Sequence, residues 1–269
     1  MGNVFVEASE VKSGRLIDTR FHLQDQDWGF KEYQNEHIEG SIYWDLEKDL
    51  SDLTSSEGRH PMPSKAQLQQ LFEQSGLRYD DTIYVYDQGG APFAARAWWM
   101  LKYANFPKVY IVNGGINALK EAGFNVSKEV PTFPSTSLNI DWNESIYVNR
   151  QYVKNVVDGV EQAKLLDARA AIRYRGEQEP IDKVAGHIPT AMNYDWEQLK
   201  DGSSLRFKDE LANVVKKSDE VVVYCGSGVT ASPLYAILAD AGYDNLKLYV
   251  GSFSDWINHY DVEKDASEN

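Results

Sequence analysis

The chain carries one cysteine, Cys225, placed after the apolar run Val221-Val222-Val223-Tyr224 and before Gly226-Ser227-Gly228-Val229-Thr230. The pattern reads as a buried strand, a tight glycine-rich turn, and a helix over 232–238 with Pro233 in its first turn. Ligand sites in α/β sheets lie at the carboxyl ends of strands, where this thiol sits. Gly226 and Gly228 allow backbone N–H groups to turn inward, and the start of a helix adds partial positive charge. Such surroundings favour a thiolate or a persulfide, and the chemistry they suit is covalent transfer through sulfur. A lone thiol makes no internal disulfide and no multi-thiolate zinc site, and the five histidines show no metal-ligand spacing. No metal and no cofactor is expected.

The elements that position this cysteine occur twice. Asp18-Thr19-Arg20 has a counterpart in Asp167-Ala168-Arg169, each after a short apolar run. His37-Ile38-Glu39-Gly40-Ser41 matches His187-Ile188-Pro189-Thr190-Ala191, Ile83–Tyr86 matches Val221–Tyr224, and Val112–Gly115 matches Tyr249–Ser252, all in the same order. This is an internal duplication. Helical spacing over 66–75 precedes a strand at 82–86, and similar spacing over 207–217 precedes a strand at 220–224. Helices alternating with short buried strands predict an α/β fold with a parallel sheet in each half. The expected domains are 1–128 and 146–269, joined by a linker over 129–145 that contains Pro131 and Pro134. At the cysteine position the first half has Asp87, so only the second half offers a nucleophile.

The composition narrows the partners. In 269 residues, 27 Lys and Arg against 41 Asp and Glu give a net charge of −14, which repels phosphate backbones and argues against nucleic acid. No apolar run reaches membrane-spanning length, the N-terminus lacks a signal-like apolar stretch, and Met1-Gly2 is not followed by a myristoylation pattern. A cytoplasmic protein without a membrane partner is expected, with a solvated acidic end over 261–269. Within that negative field a bound anion needs local positive charge. Arg20 and Arg169 are twins and read as structural; Arg173 has no twin, and a guanidinium holds a carboxylate through two parallel hydrogen bonds. His37 and His187 are also twins, whereas His60, in Gly58-Arg59-His60-Pro61, has none. Trp98-Trp99 reads as packing.

The duplication, the first copy without cysteine, and the Cys225-Gly226-Ser227-Gly228-Val229-Thr230 loop resemble the two-domain rhodanese family, and within it the 3-mercaptopyruvate sulfurtransferase branch. The resemblance spans nearly the whole chain. It implies two tandem rhodanese-like domains, the second catalytic, each a mainly parallel sheet flanked by helices. It implies Cys225 as the sulfur-carrying nucleophile, with Gly226, Gly228, Val229 and Thr230 lining the substrate loop and Arg173 holding a small anionic sulfur donor. It also implies a relay of Ser227, a histidine reaching across the domain interface (by position His60), and an acid, Glu47, with Asp45 and Asp49 as rivals. A thiol acceptor, such as a thioredoxin-like carrier, would take the sulfur. Two details bear on the donor. Thiosulfate-preferring members carry basic residues after the cysteine, where this chain has Gly226 and Ser227. Mercaptopyruvate-specific relatives often carry a second arginine after Glu-Pro, where this chain has Ile181.

Three function classes compete. Sulfur transfer from 3-mercaptopyruvate through a Cys225 persulfide leads, with thiosulfate as the alternative donor. A cysteine phosphatase would need an arginine after five intervening residues, and that position is Ala231. A non-catalytic rhodanese-like binding module would be marked by loss of the cysteine, which only the first half shows.

Overall fold

A computed structural model describes residues 4–265; the Met1-Gly2 pair and the last four residues of the acidic end lie outside the described residues. The chain divides into two compact units. The first comprises Met1–Asp52, Pro63–Asn143 and Asp201–Leu205, and the second Leu53–Met62, Glu144–Lys200 and Arg206–Asn269.

The first unit is built on a five-stranded sheet in the order Phe5–Val6, Val109–Val112, Ile83–Tyr86, Arg15–Asp18, Ile42–Tyr43, every neighbour parallel. The central strand Ile83-Tyr84-Val85-Tyr86 is buried throughout, as a strand covered on both faces must be. Its connections run through the helices Lys65–Gln74 and Phe93–Tyr103. The first starts at a reciprocal cap, in which Gln67 N donates to Ser64 Oγ at 3.2 Å and Ser64 N to Gln67 Oε1 at 2.7 Å. The second contains Trp98 and Trp99, both buried. Residues 128–143 form no helix or strand. They lie along the helix Lys65–Gln74: Thr136 N donates to Glu73 O at 3.0 Å, Leu138 N to Glu73 Oε1 at 2.8 Å, and Arg15 stacks on Phe133 at 3.4 Å.

The second unit repeats the plan. Its parallel strands lie in the order Met192–Asn193, Lys164–Asp167, Val221–Tyr224, Leu246–Tyr249, Tyr147–Val148. The strand Val221–Tyr224 is central and fully buried, with Val222 and Tyr224 in a core shared by Leu165, Val153, Tyr249, Phe253 and Trp256. Both units are α/β, with a parallel sheet and flanking helices, as expected from the alternation in sequence.

The twin residues recur in geometry. Arg20 clamps Asp18 through Nε and Nη2, at 3.0 and 2.7 Å, and Arg169 clamps Asp167 likewise, at 3.0 and 2.6 Å. Each guanidinium also donates at 2.7 Å to a carbonyl on the segment just before the twin histidine, that of Glu36 or Gly186. His37 stacks on Tyr33 at 4.0 Å and His187 on Tyr174 at 3.9 Å, each ring Nδ1 pairing with that tyrosine's carbonyl. These repeated residues are scaffold.

One expected element is shorter than its periodicity predicts. The helix over 207–217 is only Leu211–Val214. Val215 is already extended (φ −129°, ψ 145°), and Asp219 Oδ2 accepts the Lys216 N–H at 2.7 Å, folding 216–219 into a turn. Two adjacent β-branched residues and an aspartate that bonds backbone therefore outweigh the apolar spacing.

Candidate active site

The second unit ends its central strand at Tyr224, and Cys225 is the next residue, 1% exposed. The turn that follows is pinned from beneath. Cys225 N donates to Ser252 Oγ at 3.1 Å, Phe253 N to Cys225 O at 2.9 Å and Ser254 N to Gly226 O at 2.9 Å. Ser252 donates in turn to Tyr249 O at 2.8 Å from a left-handed backbone (φ 56°), so the turn after the neighbouring strand is itself held. Gly228 adopts φ 76°, a conformation that costs other residues about 1–2 kcal/mol, and this turns its N–H onto Cys225 Sγ at 3.1 Å. Ser232 Oγ then donates to Gly228 O at 3.0 Å, joining the loop to the ten-residue helix Ala231–Asp240. Val229 is buried and Thr230 half-buried, at the helix start. The sulfur thus sits beneath a backbone donor at the amino end of a buried helix.

The segment Leu53–Met62 belongs to this same unit. Gly58 approaches the turn at 251–254 so closely that a Cβ on it would lie 2.6 Å from Gly251 O, and its positive φ of 98° also calls for glycine. Arg59 N donates to Ser254 Oγ at 3.0 Å. These contacts set the next side chain: His60 Nδ1 pairs with Ser227 Oγ at 2.8 Å, both residues being buried. The resemblance implies a histidine reaching across a domain interface, whereas here His60 is part of the unit that holds Cys225.

Arg173 follows from the short helix Ala171–Tyr174. Glu179 grips it through Nε and Nη2, at 3.0 and 2.8 Å, and Asp182 accepts from Nη2 at 3.0 Å. A second guanidinium, that of Arg59, lies beside it and pairs with the other oxygen of Asp182. A Cβ on Gly226 would sit 2.6 Å from Arg59 Nη2 and 3.5 Å from Arg173 Nη2. Gly226 is therefore the floor of a two-arginine fork one residue from the thiol. Ile181, at the position where relatives often place their second arginine, is 59% exposed. Sequence reasoning does not single out Arg59; its signal there is that its segment, like His60, has no twin in the other half.

The acids differ in what holds them. Glu179 would be pushed up by burial, but hydrogen bonds from Arg173 and the backbone N–H groups of Asp182 and Ile181 outweigh that and hold it below the usual range. Burial dominates at Asp182 and raises its carboxyl despite Arg59 and Arg173. In the first unit, Asp45 Oδ1 accepts the N–H groups of Glu47 and Lys48, at 2.9 and 3.0 Å, and Asp49 Oδ2 accepts that of Asp45 at 2.7 Å. Asp45 and Asp49 are thus engaged with local backbone. Burial and the charge of Asp45 raise the Glu47 carboxyl. Asp87, at the position matching Cys225, has its oxygens on the N–H groups of Gly89 and Ala94, at 2.8 and 3.1 Å, and burial raises it to about 6. The first unit thus has the loop with a carboxyl in place of the thiol.

Among the described residues no group of three or more His, Cys, Asp or Glu could hold a metal ion, and no helix is long and apolar enough to cross a membrane.

Comparison with known proteins gives a consistent picture. The family profile for the rhodanese-like domain matches residues 5–122 and again 150–259. A Pseudomonas aeruginosa protein named "Probable 3-mercaptopyruvate sulfurtransferase" is 38% identical over 254 residues, covering 90% of this chain and 88% of its own. The thiosulfate sulfurtransferase of Azotobacter vinelandii is 28% identical, covering 86% of each chain. Among solved structures, the 3-mercaptopyruvate sulfurtransferase from Leishmania major superposes with a TM-score of 0.84 at 29% identity, covering 96% of this chain and 75% of that one.

Proposed function

This chain belongs to the rhodanese family, and we propose that it is a sulfurtransferase that moves sulfane sulfur from 3-mercaptopyruvate to a thiol or cyanide through a persulfide on Cys225. The observation that carries the reading is the N–H of Gly228 on Cys225 Sγ at 3.1 Å, in a loop floored by Gly226 beneath two arginines. A backbone donor aimed at the sulfur stabilises the anionic forms it must pass through, and paired guanidiniums suit a donor that is itself a carboxylate.

In the first half-reaction the Cys225 thiolate attacks the donor sulfur, the carbon–sulfur bond breaks, and the electron pair leaves on the enolate of pyruvate. The proton of the donor thiol must leave sulfur and end on the enolate carbon. Ser227 and His60, in hydrogen-bond contact at 2.8 Å, form the relay for that transfer. The acid of the relay is Glu47 by resemblance, with Asp45 and Asp49 as its rivals. In the second half-reaction a thiol or cyanide attacks the outer sulfur and Cys225 leaves as thiolate. A thioredoxin-like carrier is one acceptor of the right chemistry. Val229 and Thr230 complete the wall of the loop, and the cytoplasm is the proposed location.

Thiosulfate is the second reading for the donor, because a thiosulfate sulfurtransferase stands among the relatives. Two arginines over Gly226 favour the carboxylate donor despite Ile181. Steady-state turnover with each donor and cyanide, for the protein and for Cys225→Ser, tests the proposal. Loss of all transfer in Cys225→Ser is expected, and retained turnover would overturn the mechanism. Were the intact protein inert to both donors, the loop would be a binding module.

A further inference from the structure

Three arginines and three carboxylates meet at the edge of the loop. Arg169 is spent on Asp167, with further bonds to Gly186 O and Glu179. Glu179 is spent on Arg173, Arg169 and two backbone N–H groups. Asp182 is different. Among the described residues its side chain accepts from Arg59 and Arg173, one oxygen to each, and it is buried. That is the bridging arrangement a donor carboxylate would take between the same two guanidiniums. The cluster is also electrically balanced, with Arg59, Arg169 and Arg173 against Asp167, Glu179 and Asp182. An anionic donor therefore meets no surplus charge unless one carboxylate withdraws.

We infer that Asp182 is an internal occupant of the donor-carboxylate seat, displaced when the donor binds, and so sets the affinity and carboxylate selectivity of the site. The inference rests on the sulfurtransferase reading above. Asp182 lies in a stretch without helix or strand between Gly176 and Gly186, next to exposed Ile181 and Lys183, so the way out of the fork leads toward solvent. Its backbone N–H stays on Glu179 Oε1 at 3.0 Å, which leaves the segment anchored while the side chain moves. Glu179, held by two arginines and backbone, stays behind to orient Arg173.

The test uses Asp182→Asn and Asp182→Ala in the full chain, with two readouts. One is the split of KM and kcat for 3-mercaptopyruvate with cyanide as acceptor. The other is inhibition by pyruvate, which presents the carboxylate without transferable sulfur. Removing the internal competitor lowers both the KM for 3-mercaptopyruvate and the inhibition constant of pyruvate, by about fivefold, with the change in KM rather than kcat. A rise in both constants, or no change in either variant, would overturn the inference and make Asp182 a positioning residue for Arg59, while wild-type turnover of 3-mercaptopyruvate would leave the sulfurtransferase reading standing. A wild-type protein that neither turns over 3-mercaptopyruvate nor binds pyruvate would overturn both.

Discussion

Gly226→Ala is the substitution whose effect can be worked from the geometry. Gly226 does not occupy the left-handed region, so alanine fits its backbone without strain. The added Cβ would lie 2.6 Å from Arg59 Nη2 and 3.5 Å from Arg173 Nη2, where ordinary contact begins at 3.4 Å. Arg59 must therefore retreat by about 0.8 Å while Arg173 stays in place. A hydrogen bond to a charged group contributes about 1.5–3 kcal/mol when well made. Arg59 is 32% exposed, so solvent screening puts its share near the lower end. That corresponds to an increase of about tenfold in KM for 3-mercaptopyruvate. The assay is steady-state kinetics at fixed cyanide, with thermal unfolding as a control for the fold. The expected result is a raised KM with kcat held within about twofold and an unchanged Tm, the signature of lost ground-state binding. An unchanged KM would show that Arg59 does not read the donor. A collapse of kcat at constant KM would show that the methyl acts on the thiol rather than on the fork.

Other outcomes follow from the same contacts. Arg169→Met leaves Asp167 buried without its ion-pair partner, so unfolding measurements should show a loss of about 3–5 kcal/mol, whereas Arg173→Gln, which leaves Glu179 on Arg169 and two backbone N–H groups, should cost less stability and raise the donor KM. Ser227→Ala and His60→Gln should each lower kcat by about 10²-fold or more while a persulfide already formed still passes to cyanide, a split that single-turnover experiments resolve. Asp87 supplies a pH prediction. Its carboxyl is raised from 3.8 to about 6 in the folded protein, so the native state holds a proton that the unfolded chain releases. Its contribution is full below pH 4 and is lost as pH rises through 6, a change of about 3 kcal/mol. Denaturant unfolding of the protein and of Asp87→Asn between pH 4 and 8 should therefore show a difference that shifts in favour of the asparagine as pH rises; a pH-independent difference would refute the assignment.

Much of this architecture was legible because it rests on local patterns. Val221-Val222-Val223-Tyr224 has the composition of a strand buried on both faces, and the glycine-rich turn after it stands out in one dimension. The duplication identified scaffold residues by their twins: Arg20 with Arg169, and His37 with His187, have matching partners in the two units. The rest depends on contacts distant in sequence. Arg59 and His60 lie 167 residues or so from the loop they serve, as the His60–Ser227 separation of 167 records. Nothing in a local window signals that Gly58 docks on Gly251. The same holds for Asp182, whose meaning comes from two arginines that reach it from different segments. The shortened helix at Leu211–Val214 is the opposite failure, apolar spacing overruled by a local aspartate turn. The missing arginine at Ile181 illustrates both limits: the sequence marks the absence, and only the fold brings Arg59 beside Arg173.

Whether Cys225 carries the sulfur can be read from the intact mass of the protein. The reduced protein is exposed briefly to 3-mercaptopyruvate or to thiosulfate, freed of donor, and weighed. The expected result is a gain of one sulfur from 3-mercaptopyruvate, mapped to Cys225 and removed by cyanide. A gain from thiosulfate alone would contradict the choice of donor, and no gain from either would contradict the persulfide mechanism itself.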